Sequence, residues 1–166
     1  MTQPFQTGAQ NITLKEAPWS VKREISIYVK LVGDKLYLYD NEKCTGNALS
    51  PASFPVYKGQ STGLYFFIYD EDPNSKTHFP DPDDGVLPLS WDKDKPCPGT
   101  VLYGKVRDDL KAFSISDVYN HNGEVKHSFD LVVVPPGGGP FVHTSWFDKV
   151  DPTIVEKGEE PPPDGC

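Results

Sequence analysis

The run Gly63-Leu64-Tyr65-Phe66-Phe67-Ile68 constrains this chain more than any other stretch. It is too short for a core helix and too aromatic for a loop, so it reads as a central strand buried on both faces. It ends abruptly, because Tyr69 is followed by Asp70-Glu71-Asp72-Pro73-Asn74, where acidic and turn-forming residues take over. The most apolar strand and the most distinctive acidic loop are therefore consecutive.

Several shorter runs share its character. Ile25, Ile27, Val29 and Leu31 alternate with Ser26, Tyr28 and Lys30, a period of two that marks a half-buried strand. Gly33-Asp34 is a turn signal, and Lys35 to Asp40 alternates again, with Leu36 and Leu38 against Tyr37 and Tyr39, so the two runs read as a β-hairpin. Ser53 to Tyr57 reads as an edge strand, since Pro55 has no N–H to give a ladder. Thr62 to Tyr69 is the central strand. Further strands are expected near Val86–Leu89, with Trp91 closing a core edge, and at Thr100–Val106. Leu110–Tyr119, with Phe113, Ile115 and Val118 inward, and Glu124–Val134 read as a hairpin closed by Asn120-His121-Asn122-Gly123. Phe141–Phe147 and a last edge strand at Pro152–Val155 complete the set.

About eight short strands separated by turn signals predict an all-β, antiparallel two-sheet β-sandwich, Ig-like or jelly-roll-like, with a long acidic loop after the central strand. A closed barrel is the alternative. The 17 Pro, 14 Gly and 20 aromatic residues (nine Phe, eight Tyr, three Trp) in a chain of 166 fit short strands and frequent turns. The expected organisation is an arm over residues 1–20, including a short strand near Ile12–Leu14, one domain over 21–156, and a mobile Pro-rich tail over 157–166. Gly137 to Gly139 lacks the Lys and Ser/Thr of a phosphate loop and reads as a connection.

The formal net charge of -8 lacks the cationic surface that nucleic acid requires and disfavours anionic membranes. No stretch approaches the roughly 20 apolar residues of a membrane span. Met1 to Gln10 has neither the cationic nor the apolar region of a secretory signal, so a cytoplasmic location is expected unless a leader has been removed. Cys44, Cys97 and Cys166 show no Cys-x-x-Cys spacing, which favours free thiols over a disulfide framework or a zinc site. A Cys44–Cys97 bridge is the oxidising alternative.

Chemistry is most concentrated in the acidic segment. Asp70, Asp72 and Asn74 alternate, and Asp81 stands at position 12 counted from Asp70, so the four match part of a calcium-loop template in which alternate oxygen ligands converge on one cation. Ser75 in place of Gly, Asp81 in place of Glu, and Pro73 depart from that template. A solvated acidic loop is the competing reading. His78, His121, His127 and His143 have no transition-metal spacing. No Gly-x-Ser-x-Gly elbow or nucleophile context supports catalysis, so a non-enzyme is expected. Tyr37 and Tyr39, with Trp91 and Trp146 bordering loops, are the candidate ligand-binding aromatics, suited to stacking on sugar rings or to a packed interface.

The chain from Phe129-Asp-Leu-Val-Val-Val through Trp146-Phe147 to Asp151-Pro152-Thr153-Ile154 resembles the C-terminus of the bacterial AidA/PixA family of small β-sandwich proteins, some of which form intracellular inclusion bodies. The resemblance implies a non-enzymatic, self-associating protein. It supplies no catalytic or binding residues. The function expected from the sequence is thus surface binding or self-association by a non-catalytic β-sandwich. The alternative is a calcium-dependent carbohydrate-binding module using Asp70, Asp72, Asn74 and Asp81 with Trp91.

Overall fold

The computed structural model describes residues 23–70, 76–81, 83, 85–91, 101–117, 123–135, 142–143 and 145–157. Among them the chain forms eleven strands and no α-helix: β1 (Arg23–Val32), β2 (Lys35–Tyr39), β3 (Ser53–Tyr57), β4 (Thr62–Ile68), β5 (Leu89–Trp91), β6 (Val101–Val106), β7 (Ala112–Asp117), β8 (Glu124–Val133), β9 (Val142–His143), β10 (Ser145–Trp146) and β11 (Thr153–Lys157). The expected arm, the strand near Ile12–Leu14, Gly137 to Gly139 and the Pro-rich tail from residue 158 onward lie outside the described residues, as do Cys97, Cys166, Val118 and His121.

Two sheets result. One has the order β10-β2-β1-β4-β7-β6, and the other β3-β11-β8-β5 with β9 also pairing to β8. Both are mixed, which corrects the expectation of antiparallel sheets: β1 runs parallel to β4, β2 to β10, and β3 to β11. Parallel neighbours need a crossover, and the chain supplies one each time by leaving the sheet between the two strands. The β1–β2 hairpin forms as expected, in register from Tyr28↔Tyr39 to Val32↔Lys35, with Gly33 at φ 63 in the turn. β4 is interior, flanked by β1 and β7, and β3 is an edge strand containing Pro55.

Three further expectations are corrected. β7 and β8 do not pair, because both edges of β7 are taken by β4 and β6, and both edges of β8 by β11 and β5, so the chain crosses from one sheet to the other between them. β11 is interior rather than an edge, held between β3 and β8. The run expected as one strand at 141–147 is split into β9 and β10, which join different sheets.

The sheets share one core. Ile27, Val29, Leu36, Leu38, Leu64, Phe66, Phe113 and Ile115 enter it from the six-stranded sheet, and Phe54, Val56, Leu89, Phe129, Leu131, Val133 and Ile154 from the other. Period-two alternation delivers each set to one face. At the centre Phe66 stacks on Phe113 at 4.7 Å, and Phe129 meets Phe66 edge-on at 5.9 Å, joining the sheets directly. Phe129 also contacts Phe54, Trp91 and Trp146 at centroid distances of 6.3–6.4 Å. The segment after β4 is tied inward by Phe79, fully buried and edge-on to Phe113 at 4.7 Å, and by paired backbone bonds between His78 and Val134.

Candidate functional site

Two features of the fold carry side chains beyond those the core needs. The first is the outer face of the six-stranded sheet. Leu36 and Leu38 of β2 point into the core, so Tyr37 and Tyr39 lie on the opposite face. The register then places Tyr39, Tyr28, Phe67 and Ala112 in one row across β2, β1, β4 and β7. Tyr28 and Phe67 stack at 5.3 Å, and Tyr37 stacks on Phe147 at 4.5 Å with the rings 13° from parallel. In the neighbouring row, Tyr65 lies over Gly63, where an added Cβ would come within 3.0 Å of its hydroxyl. Burial, the Glu24 charge and a hydrogen bond to Glu24 raise the pKa of Tyr65. Tyr28, Tyr37, Tyr65 and Phe67 are half-buried, whereas Leu64 and Phe66 on the core side are fully buried. β4 is therefore apolar on both faces but sealed on only one, a refinement of the expectation that both faces are buried.

The second feature is a polar cluster between the sheets. Along β7 the inward positions read Phe113, Ile115, Asp117; along β8 they read His127, Phe129, Leu131; along β11 they read Ile154, Glu156. Asp117, His127 and Glu156 are exposed by 0%, 1% and 0%. His127 Nε2 and Glu156 Oε1 are hydrogen-bonded, and Trp91 packs edge-on against the His127 ring at 6.1 Å. Burial, a hydrogen bond to Glu156 and the Glu156 charge push the Asp117 pKa up to about 10. The sequence pattern carried a signal for this cluster, namely polar residues that continue the inward alternation of β7, β8 and β11, but the expected inward set ran to Val118 in place of Asp117.

The other expected site residues are dispersed. Tyr39 and Trp146 are buried at 9% and 5% exposure. Trp146 faces the core and donates its indole N–H to Asp130 Oδ1 at 3.0 Å. Trp91 is half-buried against Phe129. Asp70 forms an ion pair with Lys111 at 2.7 Å, and Lys111 also donates to the Thr77 carbonyl. Asp81 accepts the Asp83 backbone N–H at 2.9 Å. Asp72 and Asn74 lie outside the described residues. Among the described residues no three His, Cys, Asp or Glu side chains are grouped to hold a metal ion, and no helix is long and apolar enough to cross a membrane. Cys44 carries a free thiol, and its burial pushes the pKa up to about 11. A hollow lined by Leu38, Leu49, Trp146, Phe147 and Val150 encloses only about 10 Å³, room for about one water and far below the roughly 300 Å³ at which small-molecule sites begin.

Compared with known proteins, the chain matches no protein-family model and no curated protein with significance.

Proposed function

We propose that the chain is a non-catalytic β-sandwich that self-associates through the outer face of its six-stranded sheet. The observation that carries the reading is the stacked, half-buried pair Tyr28 and Phe67, with Tyr37 stacked on Phe147, on the side of the sheet away from the core. An apolar, aromatic and incompletely covered face is the type of surface that partners bury. The occupant that fits is a second copy. The outward residues of β1 are Glu24, Ser26, Tyr28 and Lys30, acidic at one end and basic at the other. A two-fold axis lying between two such faces, perpendicular to β1, sets Glu24 of each copy over Lys30 of the other and brings the tyrosines to the middle, the self-complementarity an isologous contact needs.

The resemblance of residues 129–154 to a self-associating β-sandwich family supports the same reading. So does the closure of the Asp117–His127–Glu156 cluster, because a catalytic group must reach its substrate and these three are sealed from solvent. Light scattering on a size-exclusion column over a range of loading concentrations tests the proposal. The expected mass is twice that of the 18.5 kDa chain, returning to one chain in Tyr28→Lys. A wild-type monomer at every concentration overturns it.

A further inference from the structure

We propose that Asp117, Glu156 and His127 form a proton-holding clasp between the two sheets, so that closure of that end of the core depends on a proton retained between two buried carboxyl groups. Asp117 ends β7 in the six-stranded sheet, while His127 and Glu156 stand on the adjacent strands β8 and β11 of the other sheet. The contact thus spans the seam at the point where the chain crosses from one sheet to the other.

With both carboxyls ionised, Asp117 Oδ1, Asp117 Oδ2 and Glu156 Oε2 are buried acceptors that no donor satisfies. Such a state carries a desolvation cost for each orphaned oxygen and a repulsion between two like charges in a low-dielectric setting. One proton removes both problems. Protonated Asp117 donates to Glu156, and Glu156 keeps its other oxygen for the His127 Nε2–H.

Among the described residues, the lysines and arginines nearest the pair are engaged elsewhere. Opposite Asp117 in its own sheet stand Thr62 on β4 and Val101 on β6. Opposite Glu156 stand Val125 on β8 and Val56 on β3. Arg23 is the cation on the core-facing side of β1 at this end, but its guanidinium donates to the Pro55 carbonyl and lies 5.2 Å over the Tyr57 ring. Lys157 is also drawn to the Tyr57 ring, at 6.0 Å, and Lys126 pairs with Glu124 on the opposite face of β8. The proton, rather than these lysines and arginine, balances the pair.

The consequence is an inverted pH dependence. The folded chain keeps a proton on Asp117 that the unfolded chain, with an ordinary aspartate near 3.8, has released. The stability from this group is fully present below that ordinary value and is lost progressively as pH rises toward about 10.

The test compares wild type with Asp117→Asn in urea melts between pH 7.5 and 9.5, above the range of ordinary carboxylates and histidines. The asparagine amide donates to Glu156 without titrating. The ratio of the wild-type folding constant to that of the variant is expected to fall by up to about tenfold per pH unit. A ratio independent of pH overturns the clasp. Infrared spectra of the wild-type chain give an answer even where the variant fails to fold. A buried protonated-carboxyl band at pH 7 that disappears as pH rises toward 10 is expected, and its absence at pH 7 refutes the proposal.

Discussion

Replacing Phe129 tests the claim that one ring couples the two sheets. Its side chain is fully buried and contacts Phe66 across the seam at 5.9 Å, with Phe54, Trp91 and Trp146 around it at 6.3–6.4 Å. Phe129→Ala removes the ring's transfer energy and leaves a cavity walled by other rings that cannot all collapse inward, which costs about 3–5 kcal/mol. In a chain of 166 residues each kcal/mol moves the melting midpoint by about 2–4 °C, so the expected fall is about 6–20 °C. Phe129→Leu keeps most of the volume but loses the edge-on ring pairs, worth about 0.5–1.5 kcal/mol each before overlap, and should fall between the two. Tryptophan fluorescence is the natural probe, since Trp91 and Trp146 both touch the ring. Val32→Ala, at a side chain 50% exposed, serves as the control and should stay within about 0.5 kcal/mol of wild type. A loss below about 1 kcal/mol for Phe129→Ala, or no more than for the control, would refute the shared core.

Other outcomes follow from the same geometry. With its pKa raised to about 11, Cys44 holds roughly one thiolate per thousand thiols at pH 8. Peptide mapping after alkylation should therefore find Cys44 modified only on unfolding, and rapid native labelling would contradict its burial. A calcium ion at Asp70 would have to displace the Lys111 ammonium held at 2.7 Å. Adding calcium back after chelation is thus expected to leave the melting midpoint unchanged, whereas a rise of several degrees that Asp70→Asn abolishes would make Asp70 a ligand. Lys111→Met removes a charged donor from both Asp70 and the Thr77 carbonyl and is expected to cost about 1.5–3 kcal/mol in a urea melt. A loss below about 0.5 kcal/mol would mean the pair does not pin the acidic segment.

Local alternation was enough to place β1 and β2, and a continuous apolar run to place β4. The Gly33-Asp34 turn fixes the first hairpin, and Pro55 keeps β3 at an edge. The same alternation reveals which face a residue takes but not which strand lies beside it, so the parallel pairings of β1 with β4 and β3 with β11 were invisible. Pro152–Val155 was expected as a last edge strand, yet the strand runs on to Lys157, carries Glu156 into the buried cluster and has both edges filled. The acidic segment read as a partial calcium-loop match or a solvated loop, because the burial of Phe79 and the pairing of Asp70 with a residue 41 positions along the chain leave no local trace. The candidate aromatics divided for a similar reason. Alternation sets Tyr37 on the face opposite Leu36 and Leu38, whereas the burial of Trp146 depends on β10 joining β2, a two-residue pairing that periodicity cannot register.

Sedimentation equilibrium on a charge-exchange series tests self-association through the outer face most directly. Wild type should fit a dimer. Glu24→Lys, which sets like charges against Lys30 across the two-fold axis, should shift the equilibrium toward monomer, and adding Lys30→Glu to that variant should restore the dimer. A wild-type monomer throughout, or a dimer indifferent to both substitutions, would contradict the account.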